Sequence, residues 1–250
     1  AHSEQIGSVY GMINGIEGFL SGHIMDLSKE LSDEDLELLR LTPAAYLGSC
    51  RYKLPENLDA SVYTLLFEKF EQLNIGAVFY IGGNDSMDTV DKLNTYAKAV
   101  GKDVKIVGIP KTIDNDLCIT DHTPGYGSAA KYVASTLLEI GHDTSIYPIN
   151  SVTIVEIMGR DAGWLTGASV LARNKYNHAP HLIYLPEVAF DEAQFIEDVR
   201  EAIKKYNNVV IAVSEGIKNA EGKYISATSA VEDTFGHSQL SGTGKCLEYI

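Results

Sequence analysis

The chain is poor in cysteine, in positive charge and in long apolar runs, and each shortage excludes something. Cys50, Cys118 and Cys246 are odd in number and far apart, so neither a disulfide framework nor a Cys-x-x-Cys metal site is suggested, and a reducing compartment fits. No apolar run approaches the length of a membrane span, and the opening residues AHSEQIGSVYGM carry neither the basic region nor the apolar core of a secretion leader. The expectation is a soluble, cytoplasmic protein. Lys and Arg number 20 against 34 Asp and Glu, a formal net charge of −14 with a pI of about 4.8. Such a field repels nucleic acid and anionic membrane, so a phosphate ligand must be held by local basic groups and backbone amides. The sequence also lacks an internal repeat, a low-complexity tract, a Gly-Lys-Ser/Thr phosphate loop and a Gly-x-Gly-x-x-Gly dinucleotide turn.

What is present is alternation. The 250 residues are 45% hydrophobic, enough for one large core or two modest ones. Short Val- and Ile-rich runs at 76–83, 104–110, 151–159, 181–186 and 208–216 are apolar on both faces and read as strands buried in a parallel sheet. Between them, residues 59–73, 128–140 and 191–206 place apolar side chains at helical spacing behind Asp59, Ser128 and Asp191 as caps, and LSDEDLELLR reads as a short helix capped by Ser32. This order predicts an α/β fold with a doubly wound, mostly parallel sheet sandwich. In such sheets ligands bind beyond the carboxyl ends of the strands, which is where the unusual loops fall.

In YIGGNDSMDTVDKL, Gly82 and Gly83 permit close backbone approach, and Asp85 or Ser86 would cap a helix containing Met87 to Leu93; a helix start behind glycines suits an anion, and equally an ordinary capped junction. In PKTIDND, Asp114 and Asp116 alternate with Ile113 and Asn115, so an extended backbone would turn both carboxylates toward one small volume. One could accept a hydroxyl proton and the other help to hold a metal, with Lys111 answering anionic oxygens and Thr112 orienting them; the plainer alternative is an Asx-rich turn. In VEIMGRDAGWL, Arg160 offers a planar fork to a phosphate, or a structural ion pair, while Trp164, Leu165 and Ala168 read as core. Arg51 and Lys53 follow Gly48 as another candidate phosphate clamp, and Glu215 closes an apolar strand where it could accept sugar hydroxyls. His178 and His181 lack the partner cluster of a metal pair, and His237 sits in a glycine-rich loop.

Taken in order and spacing, GGNDS, PKTIDND, VEIMGRDAGWL, VSEG and FGHSQLSG resemble the phosphofructokinase family. The resemblance implies transfer of a phosphoryl group to the 1-hydroxyl of fructose 6-phosphate with Mg2+, a reaction of glycolysis. It casts Asp114 as the base, with Thr112, Asp116 and Arg160 as further catalytic residues. Thr112, Ile113, Asp114, Met158, Gly159, Arg160, Glu215 and His237 become sugar-phosphate contacts, and Arg51 matches an arginine that stabilises the moving phosphoryl. Asp85 and Lys111 stand where ATP-using members carry glycine, as in the pyrophosphate-dependent members. A carboxylate at Asp85 would repel an ATP α-phosphate and Lys111 would attract a compact diphosphate, so the diphosphate set is Gly83, Asp85, Ser86, Lys111 and Arg51.

The chain departs from the family's pattern at several places. Asn84 replaces an aspartate metal ligand, giving Asn84 and Asp85 as the metal residues with Asp116 as a further oxygen donor. Ser151 and Leu240 replace arginines of the bacterial ATP-using relatives. The chain looks truncated at both ends, with a phosphoryl-donor lobe in 1–140 and an incomplete sugar-phosphate lobe in 141–250. The resemblance further implies a homodimer or homotetramer. The alternatives are an ATP-dependent enzyme and a non-catalytic, sugar-phosphate-binding regulatory subunit.

Overall fold

A computed structural model describes residues 4–42, 44–226 and 242–250. It forms two compact units, Ala1–Phe79 with Asp88–Val107, and Tyr80–Met87 with Gly108–Ile250. Among the described residues no helix is long and apolar enough to cross a membrane.

The first unit opens with an antiparallel pair, β1 (Tyr10–Met12) and β2 (Ile24–Asp26), joined through α1 (Gly15–Leu20). The short α2 (Leu27–Glu30) and α3 (Asp33–Leu41) follow, and Ser32 caps α3 in a reciprocal box with Asp35, as the sequence predicts. Helix α4 (Ser61–Gln72) starts behind Ala60 with no side-chain cap. The expected Asp59 cap is not made; Asp59 instead lends its N–H to Asn57 Oδ1 in the preceding turn. Tyr63, Leu66, Phe67 and Phe70 on α4 are buried, and the three aromatic ones meet Phe19 and Tyr96 in a cluster with ring centroids 5.0–5.4 Å apart.

Strands β3 (Ala77–Gly82) and β4 (Lys105–Pro110) are hydrogen-bonded neighbours flanking α5 (Asn84–Ala99). Lys105 N–H donates to Gly76 O and Lys111 N–H to Gly82 O, a constant offset that marks parallel strands. Burial on both faces, predicted for these strands, does not occur. Val78 and Ile106 turn inward, but Phe79 and Ile81 are 64% and 66% exposed and Val107 and Ile109 about as open as each other, the alternation of a two-stranded sheet with one face packed.

The second unit carries the parallel sheet. Its elements are α6 (Tyr126–Ser145), β5 (Ser151–Ile157), α7 (Trp164–Ala168) with a 3-10 turn, β6 (Leu182–Tyr184), α8 (Glu192–Tyr206), β7 (Asn208–Ser214) and α9 (Thr243–Glu248). The strand order is β5-β7-β6, with β7 parallel to both neighbours. Every residue of β7 is buried. Val209, Ile211 and Val213 join a core with Phe195 and Ala202 of α8 and Leu247 of α9, whereas Val210 and Ala212 join one with Leu137 of α6 and Leu165 of α7. Helices thus cover both faces, the doubly wound arrangement that the alternation predicts. Asp191 caps α8 by accepting from Gln194 N–H. Helix α6 begins two residues before the predicted Ser128 cap, because Gly125, at φ 99, makes the turn that starts it.

Candidate functional site

The loop after β4 is built around a buried asparagine rather than an extended strand. Asn115 adopts φ 58, a left-handed conformation that asparagine tolerates. Its Oδ1 accepts from Thr123 N–H at 2.8 Å and its Nδ2 donates to Asp121 O at 3.1 Å. Thr123 hydroxyl donates to Thr112 O, and Thr112 forms an isolated bridge with Gly125. Thr112 Oγ1 accepts from Asp114 N–H at 3.1 Å. The Asx-rich turn is therefore real, and it serves to present Asp114. The expected extended geometry is not present, yet Asp114 and Asp116 still share a field.

Asp114 is half-buried, and its Oδ1 has no hydrogen-bond partner among the described residues. Burial pushes its pKa up and the Asp116 carboxylate adds to this; Thr112, Lys111 and Arg160 pull less strongly the other way. A carboxylate raised toward neutrality, with one oxygen unpaired, is suited to accept a proton. Ile113 packs against the α6–α7 side of the sheet, which leaves its backbone to the loop.

Gly82 and Gly83 carry β3 into α5. A Cβ on Gly82 would meet Ser86 Oγ at 1.9 Å, so only glycine lets Ser86 fold back there. Asp85 and Ser86 lie inside the first turn of α5, which begins at Asn84; the predicted cap role for them is corrected, because the helix starts earlier. The N–H groups of Ser86 and Met87 both donate to Gly83 O at 3.0 Å. Asn84 Nδ2 donates to Asp116 Oδ2 at 3.0 Å, tying the helix start to the Asp114 loop.

On the other strand exit, Gly159 takes φ 128 and Met158 is exposed. Gly159 N–H donates to Glu215 Oε1 at 3.2 Å, and Gly159 O accepts from Ser214 Oγ at 2.6 Å. Ser214 Oγ in turn accepts from Gly216 N–H at 3.1 Å. A Cβ on Gly216 would sit 1.7 Å from Arg160 O, so the exits of β5 and β7 interlock. Arg160 is half-buried, and its Nε has no partner among the described residues. Burial raises the pKa of Glu215, opposed by the Gly159 N–H and the Arg160 charge and reinforced by Asp114. Asp161 forms the ion pair that Arg160 does not, with Lys218 Nζ at 2.6 Å and Tyr224 hydroxyl at 3.0 Å on its Oδ1. Leu165 and Ala168 are core as expected, but Trp164 is exposed, because the first residue of α7 points away from the sheet.

The second unit thus brings together Asn84, Lys111, Thr112, Asp114, Asp116, Gly159, Arg160 and Glu215. Arg51 belongs to the first unit, beyond a turn in which Gly48 takes φ 73 against Asn14. His237 and Leu240 lie outside the described residues. Sequence reasoning passed over Ser214, Asn115 and Thr123. An asparagine between two aspartates and a serine before Glu-Gly are the only signals they leave, and neither is read without the fold. His181 accepts Val210 N–H on Nδ1 and stacks near Tyr206. It lines a cavity of about 410 Å3 at the amino ends of the strands, away from these loops.

Among the described residues no three His, Cys, Asp or Glu side chains gather as a metal cage. Asp114 and Asp116 contribute carboxylate oxygens, Asp114 Oδ1 being buried and unpaired among the described residues, and Asn84 presents its Nδ2 to Asp116 Oδ2. The two carboxylates fit a hard cation that keeps several waters and binds mainly through one or two carboxylates and substrate phosphates, and Asn84 would join them only by turning its Oδ1 inward.

The sequence profile of the family "Phosphofructokinase" matches residues 1–250. The chain belongs to the phosphofructokinase family. Curated relatives of the chain include the pyrophosphate--fructose 6-phosphate 1-phosphotransferase of Halomonas elongata, 42% identical over 249 residues, 98% of this chain and 59% of that protein. The enzyme of the same name from Xanthomonas campestris is 43% identical over 237 residues, 94% of this chain and 56% of that protein. The crystal structure of a pyrophosphate-dependent phosphofructokinase from Nitrosospira multiformis superimposes with a TM-score of 0.80 at 39% identity, over 89% of this chain and 55% of the other. The chain therefore spans under three fifths of the length of these relatives, and the doubly wound fold is that of the solved family members.

Proposed function

We propose that the protein transfers a phosphoryl group from pyrophosphate to the 1-hydroxyl of fructose 6-phosphate, giving fructose 1,6-bisphosphate and inorganic phosphate, a reversible step of glycolysis. The observation that carries this is Asp114: a half-buried carboxyl with an unpaired oxygen and a raised pKa, flanked by the charges of Lys111 and Arg160. Asp114 takes the proton of the attacking hydroxyl as its oxygen bonds to phosphorus and the diphosphate bridge breaks. Thr112 and Asp116 complete the loop, and Lys111 and Arg160 offset charge on the moving phosphoryl. Phosphoryl transfer asks little more of a protein than this positioning and neutralisation.

Gly83, Asp85, Ser86 and Lys111 form the diphosphate side, with Arg51 included on the family resemblance, and residues 1–140 make up the donor lobe. Met158, Gly159, Arg160, Glu215 and the segment with His237 form the sugar-phosphate side, within 141–250. Pyrophosphate is favoured over ATP because Asp85 would repel an ATP α-phosphate while Lys111 attracts a compact diphosphate, and because relatives about 42% identical carry that name. Mg2+, held through Asn84, Asp85 and Asp116, would neutralise and orient the donor phosphates. A homodimer or homotetramer in the cytoplasm completes the reading.

The test is product formation by the intact protein with fructose 6-phosphate and Mg2+, given pyrophosphate or ATP in turn. Turnover with pyrophosphate is expected. Turnover with ATP alone overturns the donor, and silence with both while fructose 6-phosphate binds points to a regulatory subunit.

A further inference from the structure

Glu156, on β5 one residue short of the strand's end, has no part in the chemistry above, yet it holds a turn far away in sequence. Its Oε1 accepts from Gly242 N–H at 3.2 Å and its Oε2 from Gly244 N–H at 2.8 Å. Between these glycines Thr243 is fully buried, and its hydroxyl donates to Glu215 O at 2.7 Å. Glu215 then accepts the N–H of Gly159, three residues beyond Glu156 on the same strand exit. The contacts close a ring that runs from Glu156 through the 242–244 turn to Glu215, then to Gly159 and back along the chain.

A helix start needs partners for its free N–H groups, and Glu156 supplies two. A cap alone does not require Thr243 to reach back to Glu215. Nor does it require the anchoring carboxylate to sit on the strand that delivers Gly159 and Arg160. Leu247, 3% exposed in the core, fixes the far end of α9, so the turn is clamped on both sides and can transmit a constraint.

We infer that Glu156 is a positioning residue for the sugar-phosphate side of the site, setting Glu215 and the Gly159–Arg160 exit through the 242–244 turn without touching substrate. This rests on the reading of Glu215 and Arg160 as sugar-phosphate contacts. Glu156 is exposed, so Glu156→Gln removes the charge and leaves the packing alone. Thr243→Val cuts the same ring from within, and Thr243→Ser restores its hydroxyl.

The experiment measures KM for each substrate, kcat and Tm for these variants and for the Glu156→Gln/Thr243→Val double variant of the intact protein. Glu156→Gln and Thr243→Val should each raise KM for fructose 6-phosphate up to about tenfold, the upper end for one ordinary hydrogen bond, with KM for pyrophosphate unmoved. The double variant should be no worse than the singles, because both cut one linkage, and Thr243→Ser should behave as wild type. If Glu156→Gln shifts only Tm, or moves both KM values together, Glu156 is a helix cap and the inference fails. A wild type that makes no fructose 1,6-bisphosphate is a different result, which removes the functional reading and the inference with it.

Discussion

Replacing Asp114 by asparagine keeps the loop's shape, since the bond from the backbone N–H at this position to Thr112 Oγ1 does not depend on the side chain's charge. The change removes the carboxylate proposed to take the hydroxyl proton. Loss of a general base costs at least ~100-fold in turnover, about 2.7 kcal/mol of barrier. The same substitution should stabilise the fold, because an ionised carboxylate here is half-buried, lacks a partner for Oδ1 and faces Asp116. The sign follows from linkage. With the folded pKa raised above the unfolded value, the contribution of Asp114 to stability is fully present below the unfolded pKa and is lost as pH rises through the folded one. Asparagine has no proton to lose, so the Tm advantage of Asp114→Asn should be largest at neutral pH and shrink as the solution is acidified toward the unfolded value. Initial rates with saturating substrates, and thermal melts of both proteins across that pH range, check both halves. Near-normal turnover, or melting curves that stay parallel at all pH values, would refute the reasoning.

Three further outcomes follow from the same geometry. Asp85→Gly removes a carboxylate from the first turn of α5 and should raise ATP use relative to pyrophosphate, measured as the ratio of kcat/KM for the two donors; an unchanged ratio removes the electrostatic account of donor choice. Gly216→Ala would place a methyl 1.7 Å from Arg160 O, an overpacking that costs about 1–3 kcal/mol or more. Denaturant melts should show that loss together with weakened fructose 6-phosphate binding. Ser214→Ala empties the bridge between Gly159 O and Gly216 N–H in a fully buried position, and should lower stability by about 1–3 kcal/mol, read from the same melts.

The parallel sheet with helices on both faces is legible because β7 is apolar at every position and its neighbours repeat the strand-helix alternation. Periodicity reports burial well when an element lies at the centre of a layer. It failed for β3 and β4, whose Val- and Ile-rich runs look the same in sequence but leave Phe79 and Ile81 exposed, because hydrophobicity says nothing about how many neighbours a strand has. Helix starts were readable where a side chain caps, at Ser32 and Asp191, and not where a backbone turn does the work, as at Gly125 ahead of α6. Asp114 and Glu215 stood out by type and place. The groups that hold them, Asn115 through its left-handed backbone and Ser214 through two backbone bonds, are ordinary residues until the chain folds.

The most direct test runs the reaction backward. The intact protein, given fructose 1,6-bisphosphate, inorganic phosphate and Mg2+, should release fructose 6-phosphate and form pyrophosphate in equal amounts, and Asp114→Asn should slow this as it slows the forward direction. Phosphate-dependent formation of pyrophosphate identifies the diphosphate as the true donor. No pyrophosphate from the wild type, under conditions where it binds fructose 1,6-bisphosphate, contradicts the account.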